Sequence, residues 1–372
     1  MDRALLITSA RALFLYWMIY GMWAAGALHY ARSESHHRNR IAFVAAAVLT
    51  ALFVGLRYDV GGDWGAYQGI YNDIYFQPLI PALKLSDPGY AILNWIFGRM
   101  EVGIWAVNLV CGILFMAGVG RLASRQPSPW LAIVVAVPYL VIVVAMGYTR
   151  QAAAIGVLCF GLADASERSL KRMVVCVAIA TLFHKTAILL LPVMIAPIAT
   201  KKPLVGLMGC VFFAALFLLF LSGSSDQLVT SYVQSNYDSQ GAAIRTAMNV
   251  LAAVVLLLLR DRMGLTPYQR SFWTYVALLA FVSVPALILL AASSGVDRLS
   301  LFLIPLQLVA LSRLPGAWGR TPATAALLTF GVIAYSFTVQ FVWLNYANHA
   351  SLWLPYDNVA LPTQDEFTRL AQ

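Results

Sequence analysis

Long apolar blocks separated by short polar connections run through almost the whole chain. About twelve of them are predicted as membrane-embedded helices, over residues 5–29, 41–56, 102–121, 129–148, 151–164, 173–184, 186–199, 203–221, 244–259, 272–293, 298–312 and 321–344. Barrel strands alternate apolar and polar positions with period two. These blocks are too long and uniform for that, so the expected fold class is an all-α integral membrane protein, a polytopic helical bundle. Several blocks fall short of the ~20 residues that a simple span needs. No repeat, low-complexity tract or linker interrupts the series, and residues 1–372 are read as a single transmembrane domain. The first block, Leu5 to Leu28, is long enough to span and lacks a small-residue cleavage site, so it is read as a helix and not as a signal peptide.

The stretch from Met173 to Ala199 is either one long helix or two short ones meeting at His184-Lys185. Loop charge decides for two. Basic residues cluster at Arg32/Arg38/Arg40, Arg121/Arg125, Arg168/Lys171/Arg172, Lys201/Lys202, Arg260/Arg262/Arg270 and Arg313/Arg320. All six clusters share one face only if the chain turns back at His184-Lys185. That face is then cytoplasmic, because Lys and Arg accumulate in cytoplasmic loops. The opposite face receives residues 57–101, 149–151, 184–185, 222–243, 294–298 and the tail 345–372. There, single basic residues such as Arg57, Arg150, Lys185, Arg245 and Arg298 stand beside Asp, Tyr, Asn, Gln and Trp.

Composition agrees with a membrane protein. The chain is 61% hydrophobic and 11% charged, with a mean hydropathy of +0.76, whereas soluble domains carry about 25% charged residues. The formal net charge of +9 does not point to nucleic acid, because the basic residues sit in short loops between apolar blocks. Cys111, Cys159, Cys176 and Cys210 lie inside apolar blocks without metal-ligand spacing and are read as small helix residues. No metal site and no cofactor is expected.

Candidate chemistry concentrates in the stretch Gly55–Tyr75, which holds one Arg, three Asp, four Tyr, one Trp and five Gly and is read as a loop. Charge and flexible backbone are costly against hydrocarbon, so the segment suits the rim of a buried polar site. Arg57 can hold a phosphate or carboxylate, although an arginine at a helix end also snorkels. Asp59 and Asp63 can take a proton or bind sugar hydroxyls. Tyr58, Trp64 and Tyr67 can stack on sugar rings, and Gln151 joins them as a sugar-binding candidate. Asp87-Pro88 resembles a helix start, and residues 90–100 suit a short helix in the membrane interface.

Arg150 opens an Ala-rich helix, where the dipole also favours anions, so it is a phosphate candidate or an interfacial anchor. His184 and Lys185 lie midway through an apolar stretch; charge at that depth is usually functional, although a water-wetted turn gives the same pattern. His184 is a candidate base or phosphate donor. Arg298 either pairs with Asp297 or faces the same cavity as Arg57 and Arg150. The chain has no H-E-x-x-H, P-loop, G-x-S-x-G, haem or Rossmann signature. An enzyme built this way needs a substrate that arrives activated and dissolved in the membrane, as lipid-linked sugars do.

Six short blocks, in order, resemble one family: G-L-R-Y-D-V-G-G-D-W-G-A-Y (55–67), D-P-G-Y-x-I-L-N (87–94), Y-T-R-Q-A-A-A-I (148–155), F-H-K-T-A-I-L-L-L-P (183–192), D-R-L-S-L-F (297–302) and L-P-Y-D-N (354–358). They are similar to the EpsG-like branch of the Wzy-type bacterial polysaccharide polymerases. The resemblance implies a GT-C-like membrane glycosyltransferase, multi-pass in the bacterial inner membrane, with its active site facing the periplasm. It implies undecaprenyl-pyrophosphate-linked oligosaccharides as donor and acceptor, with membrane lipid and a chain-length regulator as further partners. On that footing Arg57, Arg150, Lys185 and Arg298 are pyrophosphate-binding candidates, and Asp63, Asp59 and His184 are catalytic candidates. A flippase of lipid-linked saccharides, an O-antigen ligase and another membrane glycosyltransferase are the competing readings.

Overall fold

The computed structural model describes residues 3–30, 36–221, 241–289 and 293–360. Most of the predicted outer loop 222–243, the tail beyond residue 360 and Arg32 lie outside them. The described chain is 83% helix without strands. In order, the helices are α1 Arg3–Tyr30, α2 His36–Gly55, α3 Trp64–Tyr75, α4 Leu79–Ala82, α5 Pro88–Arg99, α6 Ile104–Ser124 and α7 Pro129–Ala136. Helix α7 runs on as a π-helix over Val137–Ala145. Then come α8 Thr149–Leu162, α9 Leu170–Phe183, a 3-10 turn Lys185–Leu189, α10 Leu190–Ala199 and α11 Pro203–Leu221. Helices α12 Ala242–Leu259, α13 Pro267–Leu289, α14 Ser293–Ser300, α15 Pro305–Trp318 and α16 Pro322–Tyr346 complete the series.

Five helical stretches are long and apolar enough to cross a membrane: Ile104–Ser124, Ala242–Leu259, Pro267–Leu289, Val296–Trp318 and Pro322–Tyr346. Shorter apolar helices, including Pro129–Ala145, Thr149–Leu162 and Lys185–Ala199, pack among them. The centre is packed mainly with apolar side chains. Helix α7 and its π extension are buried along their whole length, which is why that sequence is apolar on every side. The π register sets in beside Pro138, which has no N–H to give to the preceding turn. Helices α6 and α8 touch backbone to backbone: a Cβ on Gly118 would lie 1.7 Å from the Gly156 carbonyl oxygen.

The chain does turn back at His184. Glu167, just before α9, pairs with Lys201 at 3.0 Å and with Lys202 at 3.8 Å, just after α10. The far ends of α9 and α10 are therefore side by side. Asp164 gathers Arg121, Arg125 and Arg172 at 2.7, 2.6 and 3.4 Å at the same end of the bundle. Arg313 reaches Gln126 Oε1 at 2.8 Å and the Met263 carbonyl at 2.5 Å, bringing two more basic connections to that end.

The other end carries a small cap of helices where the sequence suggested a loop. Only residues 56–63 are irregular; Trp64–Tyr75 forms α3. Tyr67, Tyr71 and Ile74, spaced one and two turns apart, bury one face of α3 and overcome the five glycines of the segment. The Tyr71 hydroxyl donates to the Phe97 carbonyl at 3.3 Å and accepts from the Gly103 N–H at 3.1 Å, pinning α3 to the end of α5. Helix α5 buries Tyr90, Ala91, Asn94 and Gly98 and leaves Ile92 and Ile96 exposed.

Candidate functional site

The irregular segment 56–63 is clamped from two sides. The tail segment lies along it: Tyr58 N–H donates to the Asp357 carbonyl at 3.1 Å, Val359 N–H to Leu56 at 2.9 Å, and Gly61 N–H to Leu352 at 2.8 Å. Trp353 locks the tail in turn, its indole N–H reaching the Ile142 carbonyl at 2.9 Å. Gly61 has φ +113°, and a Cβ there would stand 2.3 Å from the Met146 carbonyl oxygen, so only glycine fits. Asp59 takes φ +47°, a conformation aspartate tolerates better than most residues, and is exposed. Tyr58 is also exposed and meets Trp64 edge to face, with ring centroids 5.6 Å apart.

Arg57 is 1% exposed. Its Nη1 donates to the Val54 carbonyl at 2.6 Å, its Nε to the Val60 carbonyl at 3.2 Å and its Nη2 to Thr149 Oγ1 at 2.6 Å. The guanidinium thus stitches the irregular segment to the first residue of α8. The structure sets Arg57 apart from the other candidate phosphate ligands, because all three of its nitrogens are spent inside the protein.

Arg150, the next residue of α8, faces a shared polar cluster. Its Nη1 donates to Asp87 Oδ2 at 2.9 Å and to Ser86 Oγ at 3.3 Å. Its guanidinium carbon lies 5.7 Å from the centre of the Tyr67 ring, and Tyr67 packs 5.5 Å from Tyr90. The other Asp87 oxygen accepts from the Lys185 backbone N–H at 3.3 Å. His184, at the turn between α9 and α10, is buried with Nδ1 3.0 Å from Thr186 Oγ1 and its ring 6.0 Å from Phe302. The charges of Arg150, Arg298 and Lys185 all bear on that ring.

Arg298 is held by its neighbours. Gln151 Nε2 donates to the Arg298 carbonyl at 2.5 Å, so this side chain fixes backbone at the site. Asp297 pairs with Arg245, and Arg245 also donates to Tyr139 on the π-helix. Asn249 Nδ2 reaches the Ser300 carbonyl at 3.0 Å. Three anchors on α8 and α12 thereby hold residues 297–300 beside the cluster, near enough for the Arg298 charge to act on Asp63 and His184.

Two aspartates share one feature. Asp63 stands at the N-cap position of α3 and Asp87 at that of α5, yet neither carboxylate bonds to the helix it precedes. An N-cap aspartate normally accepts from the first turn. Here both carboxylates lie among cations. Burial raises the Asp63 carboxyl above its usual value, and the charges of Arg298 and Arg150 oppose that rise without cancelling it. The cluster offers three cations, Arg150, Arg298 and Lys185, against two carboxylates, Asp63 and Asp87. Such a site can hold a phosphate with guanidinium donors and place a proton acceptor beside it.

The structure thus gathers Asp63, Tyr67, Arg150, His184, Lys185 and Arg298, and places Gln151 in support. Asp59 and Tyr58 stay on the exposed rim with the half-buried Trp64 beside them, and Arg57 lies beneath. Sequence reasoning missed Asp87, because its D-P pair reads as an ordinary helix cap, and missed the pairing of Arg245 with Asp297 across a long separation. Among the described residues no group of three or more His, Cys, Asp or Glu side chains is placed to hold a metal ion.

The EpsG family model matches residues 40–358, and the chain belongs to the EpsG family. It is a membrane protein of polysaccharide biosynthesis. No curated protein and no solved structure matches it.

Proposed function

We propose that this chain is a Wzy-type polymerase that joins oligosaccharide repeat units carried on undecaprenyl pyrophosphate. The observation that carries this reading is the convergence of Arg150, Arg298 and Lys185 with Asp63 and His184 at one end of an apolar bundle. Family membership supports a saccharide substrate, and the three cations suit a pyrophosphate leaving group. By the charge rule the basic end lies in the cytoplasm, so the site opens to the periplasmic face of the inner membrane.

In this reaction an acceptor sugar hydroxyl attacks the anomeric carbon of the growing chain. The new glycosidic C–O bond forms as the bond to pyrophosphate breaks, and the leaving group gains negative charge. Arg150, Arg298 and Lys185 are positioned to offset that charge. Asp63 takes the hydroxyl proton; its raised carboxyl makes it a better acceptor than a free aspartate. His184 orients the acceptor or the phosphate. Tyr67 lies under Arg150, while Tyr58 and Trp64 form an aromatic rim for sugar rings. Arg57 and Gln151 hold the backbone on which these groups stand.

Deleting the gene in a strain that makes the polymer tests this reading. A polymerase leaves single lipid-linked repeat units on the periplasmic side. Units trapped on the cytoplasmic side would identify a flippase instead.

A further inference from the structure

We propose that Asp87 is a positioning residue that sets Arg150 for the pyrophosphate; this rests on the site of the proposed function. The Asp87 carboxylate bonds two different elements. One oxygen holds Arg150 on α8 at 2.9 Å, and the other holds the Lys185 backbone N–H at the turn between α9 and α10 at 3.3 Å. Its side chain is 7% exposed, and it is released from capping α5. Ser86, its neighbour, adds a second acceptor to the same Arg150 nitrogen. One nitrogen of the guanidinium, Nη1, is therefore held by two acceptors.

What remains of Arg150 is suited to an anion. Its Nε is buried and has no hydrogen-bond partner. An unpaired buried donor costs about 1–3 kcal/mol, which a bound phosphate oxygen would recover. A guanidinium held at one nitrogen keeps its other donors in a fork, the geometry that phosphate accepts.

Asp87 also draws the three-helix junction together. Helix α5 carries Asp87, α8 carries Arg150, and the turn after α9 carries Lys185. Losing the carboxylate frees Arg150 to change rotamer and lets the Lys185 turn move away from it. The sign of the effect is informative. A carboxylate beside a phosphate site repels the phosphate, so simple electrostatics says that removing it tightens binding. Positioning says that removing it weakens binding.

The test uses the purified full chain in nanodiscs, with farnesyl pyrophosphate as probe and tryptophan fluorescence as readout. Asp87→Asn is expected to weaken probe binding about tenfold, the loss of one charge-assisted hydrogen bond. Ser86→Ala should weaken it less, in the same direction. In an Arg150→Ala background neither change should weaken binding further, because both act through Arg150. Tighter binding in Asp87→Asn would overturn the proposal, as would an equal loss with and without Arg150. If Asp87→Asn fails to fold, Ser86→Ala decides by the same two comparisons. Normal binding in Arg150→Ala alone would instead overturn the pyrophosphate site itself.

Discussion

Glu167 and Lys201 form an ion pair at 3.0 Å although they stand 34 positions apart in the sequence. Helices α9 and α10 lie between them, so this pair closes the base of a hairpin whose tip is His184-Lys185. The hairpin carries two site residues to the end opposite the basic clusters. Single cysteines at Asp73 and Lys201, in a chain with its native cysteines replaced, should be labelled by impermeant reagents from opposite sides of the membrane. Labelling of both from the same side would contradict the hairpin topology.

Arg57 should behave as a stability residue. Arg57→Ala removes three hydrogen bonds and leaves the Val54 and Val60 carbonyls buried without their donor. A loss on the order of 3 kcal/mol is expected, seen as a lower unfolding temperature and a reduced amount in the membrane. Arg57→Lys should recover part of it. A variant of normal stability that has lost only activity would return Arg57 to the substrate site.

Gly61→Ala should be as damaging as a change in the cluster itself. The added Cβ would sit 2.3 Å from the Met146 carbonyl in a backbone with φ +113°. Displacing residues 60–63 moves Asp63 with them. Gly65→Ala is the control, since no atom lies within 4 Å of a Cβ there. Activity of each variant, measured with its unfolding temperature, checks this; a harmless Gly61→Ala would show that the clamp does not hold Asp63.

Much of the architecture was legible in the sequence. The apolar blocks gave the all-helical class, although five described stretches, not twelve, are long and apolar enough to cross a membrane; loop charge gave the hairpin at His184, and D-P gave the start of α5. The candidate cluster was legible where charge sits inside an apolar context, as at Arg150, His184-Lys185 and Arg298. The rest depends on contacts between distant positions. Arg57 and Arg150 look alike as lone arginines at helix ends, and only Thr149, Val54 and Val60 show that Arg57 is consumed internally. Asp87 has the local signature of a cap, and only Arg150 and Lys185 show that its carboxylate goes elsewhere. Residues 64–75 read as a loop because the five glycines of residues 55–75 outweigh one buried tyrosine stripe until α5 is there to receive it.

The raised Asp63 carboxyl predicts the acid limb of activity. Proton acceptance needs the carboxylate, and burial favours the protonated form. Activity should therefore fall as pH drops through a value above the ordinary aspartate value of 3.8. Removing either arginine removes a charge that favours the carboxylate, so Arg298→Gln should move the limb to higher pH in whatever activity remains. A limb that stays in place in Arg298→Gln would separate Asp63 from that charge.

Polymer formation by the purified chain, reconstituted with lipid-linked repeat units, tests the central claim most directly. The wild-type protein should convert single units into a ladder of longer chains. Arg150→Ala, Arg298→Ala and Asp63→Asn should each lower the rate at least about a hundredfold, in the range seen when an electrostatic or proton-transfer group is lost, with folding unchanged. Near-normal ladders from Arg150→Ala and Asp63→Asn, or no ladder from the wild-type protein, would contradict the assignment of this cluster as the polymerising site.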